Sequence, residues 1–544
     1  MRFLTGQFFS GLHRMSRPDP RGYGHLGAVA LTCLLGMAGL GSCDNLFSDH
    51  ASQDEAGVSA LDSGSVLPEL VVDLDDHLSD GQVRDFERRY GARFAPESSY
   101  VRHDRIYRVS IPNPGGVGAI GSENSVAARM HQLGRLLTAL RRDVEVEAAD
   151  WALLYRIPES TPTSLIRPED EAISVTVPAV AEPAKQDGPG RDRFLPNDPK
   201  FKFQWHLDQI RMPEAWTRNQ GDGVVVAVVD TGVTPVEDLS GTEIVPGWNF
   251  VDNTPDARDD HGHGTHVAGT IAQTTHNGVG VAGVAYRAKI MPIKVLSGSG
   301  SGSVGGIAEG IRWAADHGAR VINMSLGGPF YSQVLAKAVR YAHDHGVVVV
   351  CAAGNDGRGK VSYPAANYGA IAVAATQFDE ATTFYSNWGK EISVAAPGGN
   401  TRLDQNGDGV PDGVLQNTVT PGNIDKQDYL LFMGTSMASP HVAGVAALLV
   451  SAGVQDPAEV QRLLEKTARK PSAYRGKQDP HYGAGIVDAS AALVAAESLR
   501  VEQGAGSDHR DSSQRYRWLG VVLGLAFIIR LARFFPIAPG VHRF

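Results

Sequence analysis

Between residues 198 and 500 the chain alternates two kinds of pattern. Continuous apolar runs, rich in Val, Ile and Ala, recur at "GVVVAVVD" (223–230), "AKIMPIKVL" (288–296), "ARVINMSLG" (319–327), "GVVVVCAAGN" (346–355) and "AIAVAATQ" (370–377). Amphipathic stretches such as "SVGGIAEGIRWAADHG" (303–318) and "SQVLAKAVRYAHDHG" (332–346) lie between them. A strand buried on one face alternates apolar and polar residues; a strand buried on both faces does not. The pattern therefore predicts an α/β domain, a parallel sheet with helices on both faces.

The first part of the chain reads differently. "LVVDL" (Leu70–Leu74) predicts a strand. "SDGQVRDFERRYG" places Val83, Phe86 and Tyr90 at helical spacing, with Ser79 or Asp80 as cap and Gly91 as stop. "RIYRVSI" alternates, with Tyr107, Val109 and Ile111 on one face. Met130, Leu133, Leu136, Leu137 and Leu140 form the stripe of a longer helix, and "VEVEAADWALLYRI" (144–157) is strand-like. Residues 67–157 thus predict a small α+β domain. A polar tether (44–66) precedes it, and a Pro-, Glu-, Ser- and Gly-rich linker (158–197) separates it from the large domain.

Composition narrows the function. The chain has 544 residues, 42% hydrophobic and 20% charged, enough for a large core and more than one unit. A net charge of -10 without a basic block argues against nucleic acid as a partner. Cys33 and Cys43 lie in the first apolar segment, so only Cys351 remains for a mature domain and no disulfide framework is possible. Cys351 follows "VVVV" and reads as a buried small hydrophobe.

The two ends carry their own signals. In residues 1–43, Arg17 and Arg21 precede an apolar run ending "LGSC", an export signal. Its ending resembles the bacterial lipoprotein signal, with Cys43 as the lipidated residue; an ordinary signal with an incidental cysteine is the alternative. In residues 501–544, the apolar run Trp518–Ile529 falls short of the ~20 residues needed to span a bilayer. Arg530 and Arg533 follow it. Membrane association is expected there, spanning or interfacial, together with a location outside the cytoplasm: cell envelope, or secreted after processing.

Chemistry gathers at strand ends and helix starts, where open parallel sheets place their functional groups. Asp230 closes "VVVAVVD". His263 stands in "DDHGHGTHVAGTIAQ", between two glycines that allow close approach. Asn355 closes "VVVVCAAGN", and Ser436 in "GTSMASPHVAG" heads an apolar helix. Helix-start serines are often simple caps. Here the serine comes with an imidazole, a carboxylate and an amide donor. That set is what hydrolysis through an acyl-enzyme requires: a nucleophile, its base, the group orienting the base, and an oxyanion donor.

"VVDTGV", "GHGTHVAGT", "SLGG", "AAGN" and "GTSMASPHVAG", in that order over about residues 198–500, resemble the motif set of the subtilisin-like serine proteases. The resemblance implies that Asp230 orients His263, that His263 is general base and then acid, and that Ser436 is the nucleophile. Asn355 and the Ser436 backbone N–H would form the oxyanion hole. Ser299, Gly300, Ser301 and Gly302 match the family's substrate-pairing strand; Ser325, Leu326, Gly327 and Gly328 match the opposite wall. The substrates implied are proteins or peptides, and Asp356 suggests a basic side chain before the cut bond. The small domain resembles the family's inhibitory propeptide, with self-cleavage between Pro158 and Asn197. A catalytically silent scaffold that keeps this fold is the other reading, and the intact Asp, His, Asn and Ser argue against it.

Three smaller readings complete the picture. His261 is expected in an exposed loop, and His266 and His441 as satisfied structural residues on apolar helices. "HGHGTH" is not a zinc site, because a metal would compete with the proton transfer and no Glu-containing zinc motif accompanies it. "DQNGDGVPDG" places Asp404, Asn406, Asp408 and Asp412 at alternating positions, with the Val410 carbonyl as a further oxygen. That spacing suits a structural calcium ion, although Leu415 stands where a bidentate Glu is usual; an acidic surface turn is the alternative.

Overall fold

The computed structural model describes residues 66–112, 123–158, 164–165 and 192–501. The export signal with Cys43, the tether before residue 66, most of the linker and the segment around Trp518–Phe535 lie outside the described residues.

The first unit is an antiparallel sheet with two long helices and a single helical turn (Val101–Asp104). β1 (Val66–Leu74) begins four residues before the expected strand and carries an irregularity between Val66 and Leu70. α1 (Asp80–Tyr90) starts on a reciprocal cap: Ser79 accepts from Gln82 N–H and the Gln82 side chain accepts from Ser79 N–H. Gly91, at φ +59°, ends it, as the sequence implied. β2 (Arg93–Pro96), absent from the sequence reading, pairs with β3 (Ile106–Ser110). α2 (Glu123–Leu140) follows, with Met130, Leu133, Leu136, Leu137 and Leu140 buried as expected. β4 (Val146–Arg156) closes the unit against β1. The order is β2-β3-β1-β4.

β4 is longer than the sheet needs. Its last residues leave the small unit and pair with the large one, as described below. In the linker, β5 (Ser164–Leu165) joins the edge of a hairpin of the large unit, a pairing the sequence did not announce.

The large unit is the expected parallel sheet. Its strands are β6 (Val225–Asp230), β7 (Trp248–Asn249), β8 (Lys289–Lys294), β10 (Val321–Met324), β11 (Val348–Ala352), β12 (Ala370–Thr376) and β13 (Ile392–Pro397). The order is β13-β12-β11-β10-β6-β8-β7, and every pairing is parallel. The edge strands β7, with two residues, and β13, which ends in Pro, were not read from sequence.

α3 (His263–Ala272) and α6 (Thr435–Ser451) pack against each other and are almost wholly buried. Between β8 and β10 come β9 (Ser301–Ser303) and α4 (Val304–Asp316); α5 (Gln333–Asp344) links β10 to β11. β14 (Val414–Thr420) and β15 (Asn423–Phe432) form a hairpin before α6, and α7 (Pro457–Thr467) follows it. Helix buried on every side explains why α6 reads as an unbroken apolar run rather than an amphipathic one.

Candidate active site

Asp230 is the last residue of β6 and is fully buried. Its Oδ1 accepts from Thr231 N–H at 2.7 Å and lies 2.7 Å from His263 Nδ1. His263 is the first residue of α3, which can reach the strand end only because its neighbour has no side chain. A Cβ on Gly264 would stand 2.1 Å from the Gly232 carbonyl oxygen.

Ser436 is the second residue of α6. Pro440 lies within the same helix and cannot donate the backbone bond that Ser436 O would receive four residues back. Ser325 Oγ supplies it instead, donating to Ser436 O at 2.8 Å. Ser436 Oγ in turn donates to Ser325 O at 3.2 Å. Ser325 is held from behind: Asn323 Nδ2 donates to Ser325 Oγ at 3.0 Å, and Ser439 Oγ donates to Asn323 Oδ1 at 2.7 Å. Asn323 and Ser439 escaped the sequence reading; the signal was a lone Asn in the apolar strand "VINM".

Asn355 follows β11 in the loop that faces the start of α6. Its Oδ1 accepts from Thr435 N–H at 2.9 Å and from Thr435 Oγ at 2.8 Å. Holding the amide oxygen on the helix turns the amide nitrogen the other way, toward the side where a donor would be wanted.

The loop before His263 has an organiser that sequence did not single out. Buried Asp259 accepts from the backbone of His261, Gly262 and Thr265 and from the hydroxyls of Thr231 and Thr265, at 2.7–2.9 Å. His261 is half-buried there, not exposed as expected. His266 and His441 are structural, as expected. His266 Nε2 faces the Val414 and Leu430 carbonyls at 3.1 Å, and burial pushes its pKa down to about 3. His441 bridges Met437 O and His206, and burial brings its pKa to about 4.

The two expected walls meet a strand of this same chain. Leu154, Tyr155 and Arg156 pair antiparallel with Ser303, Gly302 and Ser301. On the other side Arg156 N–H donates to Gly327 O at 3.1 Å, Gly327 N–H donates to Arg156 O at 2.9 Å, and Ile157 N–H donates to Gly300 O at 2.9 Å. Tyr155 is fully buried; its ring rests on Gly328, where a Cβ would come within 3.0 Å, and its hydroxyl donates to Phe330 O at 2.7 Å. Ser299 and Leu326 flank these contacts in sequence. Asp356 pairs with Arg358 at 3.0 Å, which offsets the charge expected to favour a basic substrate side chain.

The acidic loop 404–412 folds on its own amides. Asp404 accepts from Gly407 and Gly409 N–H, Asn406 from Asp408 N–H, and Asp408 from Val410 N–H. Asp412 is buried; Oδ2 accepts from Gln405 N–H, while Oδ1 has no hydrogen-bond partner among the described residues. Burial, then the charges of Asp404 and Asp408, raise its pKa to about 6. An orphaned carboxylate oxygen beside like charges suits a hard cation, with amide and carbonyl oxygens completing the donor set. Among the described residues no three His, Cys, Asp or Glu side chains converge as a metal cluster. A second acidic pair was missed because its members are distant in sequence. Asn277 donates to Asp198 through its backbone and to Asp238 through its amide; burial, with a further contribution from Asp198, brings Asp238 to about 7.

Known proteins resemble this chain. The subtilase family pattern matches residues 221–485. Thermitase from Thermoactinomyces vulgaris is 42% identical over 281 residues, 51% of this chain and 93% of that protein. Subtilisin Savinase from Lederbergia lenta is 40% identical over 290 residues, 53% of this chain and 97% of that protein. Among solved structures, fervidolysin from Fervidobacterium pennivorans, a keratinolytic enzyme related to subtilisin, aligns with a TM-score of 0.59 at 26% identity, over 79% of this chain and 61% of that one. With the buried Asp230–His263 pair, Ser436 in the first turn of a buried helix, and relatives matched over nearly their whole length, the chain belongs to the subtilase family and is a subtilisin-type serine endopeptidase.

Proposed function

We propose that Ser436 attacks the substrate carbonyl, with His263 as base and then acid. The observation that carries this reading is the 2.7 Å contact between His263 Nδ1 and buried Asp230. A carboxylate there fixes the proton on Nδ1, leaves Nε2 as the base, and stabilises the imidazolium once Nε2 has taken the Ser436 proton. Asn355 Nδ2 and the Ser436 N–H stabilise the developing oxyanion. His263 then returns the proton to the leaving amine, and water hydrolyses the acyl-enzyme through the same groups.

The substrate is an extended peptide entering between Ser299–Gly302 and Ser325–Gly328, so its main chain supplies affinity and its side chains selectivity. Residues 66–157 act as an inhibitory prodomain, a role supported by the pairing of Leu154–Ile157 with both walls. The precursor is exported by its first 43 residues, with Cys43 as a lipid attachment site, and is processed between Pro158 and Asn197. The segment around Trp518–Phe535 holds the mature protease to the membrane; deleting the chain after Ser507 would release it to the soluble fraction. Among the described residues no helix is long and apolar enough to cross a membrane. Calcium bound by the Asp404–Asp412 loop stabilises the fold and takes no part in catalysis.

Labelling with a serine-directed fluorophosphonate tests the core of this reading. Wild-type enzyme labels and hydrolyses peptides; Ser436→Ala does neither. Undiminished turnover by Ser436→Ala would refute the assignment.

A further inference from the structure

The docked strand has a register, and the register says which residue reaches Ser436. Arg156 and Gly327 exchange both backbone hydrogen bonds, so they form a hydrogen-bonded pair of an antiparallel ladder. Such pairs recur every second residue. Two residues onward on one strand and two back on the other bring residue 158 abreast of Ser325. Ser325 O is also where Ser436 Oγ donates, at 3.2 Å. Residue 158 therefore stands where the residue before the cleaved bond of a substrate would stand.

That residue is Pro158, a half-buried bend at the end of the strand. The rung at Ser325 requires an N–H from the docked chain. Proline has none, and its ring fixes φ near -65°, far from the extended value a ladder uses. Ile157 N–H reaches Gly300 O normally, so the defect begins at the position where the reaction would occur.

We propose that Pro158 makes the docked strand a substrate mimic that resists cleavage at its own junction, so that the first processing cut falls elsewhere than between Pro158 and Glu159. This rests on the assignment of Ser436 and the two walls as the catalytic cleft. Cleavage at 158–159 would require Ser436 Oγ to bond to the Pro158 carbonyl carbon, its proton to pass to His263, and the Glu159 amine to leave with that proton. Without the Ser325 rung the carbonyl is not held in line for attack. A misplacement of that kind costs on the order of 100-fold in rate. The small domain consequently remains an intact inhibitor where it meets the nucleophile, and activation depends on its removal by a different cut.

The test compares full-length precursors carrying Pro158, Pro158→Ala and Pro158→Ser. Chain termini are read by mass spectrometry over time, and turnover of a free chromogenic peptide is followed in parallel. Both variants should yield chains beginning at Glu159, roughly 100-fold faster than wild type. Adding Ser436→Ala should abolish that product. A wild-type precursor whose first cut falls at 158–159, or variants that leave this bond as slow as wild type does, overturns the proposal. If peptide turnover persists while these outcomes occur, only the role of Pro158 fails. If peptide turnover and fluorophosphonate labelling are both absent, the catalytic assignment fails and takes this inference with it.

Discussion

His263 Nδ1 lies 2.7 Å from Asp230 Oδ1, and both side chains are buried. The pair joins the end of a strand to the start of a helix 33 residues later. Asp230→Asn keeps the shape but donates where it should accept, which favours the wrong imidazole tautomer. We expect kcat to fall about 10⁴-fold near neutral pH with KM little changed. Steady-state kinetics on a peptide substrate would check this; a loss under tenfold would mean that Asp230 does not orient the base.

Asn355 is anchored through its oxygen on Thr435, so its nitrogen is the catalytic candidate. Asn355→Ala should lower kcat by about 10²–10³-fold, the usual loss on removing one oxyanion donor, with KM nearly constant. A KM effect alone would assign the residue to substrate binding.

The docking surface should respond to pH through two buried carboxyls. Burial raises the pKa of both Asp104 of the small unit and Glu309 of α4, and the Asp104 charge raises Glu309 further across the interface. Asp104 is brought to about 8 and Glu309 is also pushed up; Arg312, Asp73, Asp76 and Asp316 face the first, Glu97 and Ser98 the second. Docking therefore holds protons that the free, exposed groups would release. Affinity is unimpaired below the ordinary carboxylate range near pH 4 and weakens as pH rises through about 8. Within that window each proton held changes the inhibition constant about tenfold per pH unit. Inhibition of the mature enzyme by separated small domain, measured from pH 5 to 9, should show this loss, and Glu309→Gln should flatten it. A pH-independent constant would contradict the idea.

Tyr155 sits on Gly328, where no side chain fits. Gly328→Val should weaken inhibition by the small domain strongly, because a Cβ already meets the Tyr155 ring at 3.0 Å. Tyr155→Phe removes only the hydroxyl bond to Phe330 O and should cost about 0.5–1.5 kcal/mol of docking. Equal affinity of Gly328→Val and wild type would show that the ring does not occupy this seat in solution.

The acidic loop predicts a thermal response. A calcium ion at 100-fold its dissociation constant stabilises the fold by about 2.7 kcal/mol, so a chelator should lower Tm. Asp408→Ala should lack that response. Superimposable melting curves with and without chelator would rule out a cation in this loop.

Sequence by itself determined the class of fold and the family, and it singled out the candidate catalytic set. Short apolar runs rich in β-branched residues, such as 346–353, read as strands covered on both faces, and a lone Asp, Asn or Ser ending or following an apolar run announces a group the core cannot absorb without partners. The cap of α1 was equally local: Ser79, Gln82 and Gly91 act within a few residues of one another. What tertiary structure decided is whatever depends on residues distant in the chain. Asp259 became an organiser only when Thr231 and the 261–265 backbone closed around it. Asn323 and Ser439, 116 residues apart, proved to be one support behind Ser325. β7 has only two residues, too few to carry a pattern, and both β7 and β13 are edge strands whose pairing is completed by their neighbours in the sheet. The docking register, which sets Pro158 against Ser325, was invisible for the same reason. Periodicity reports which face of an element is buried, whereas pairing between distant strands is chosen by the packing of the whole molecule.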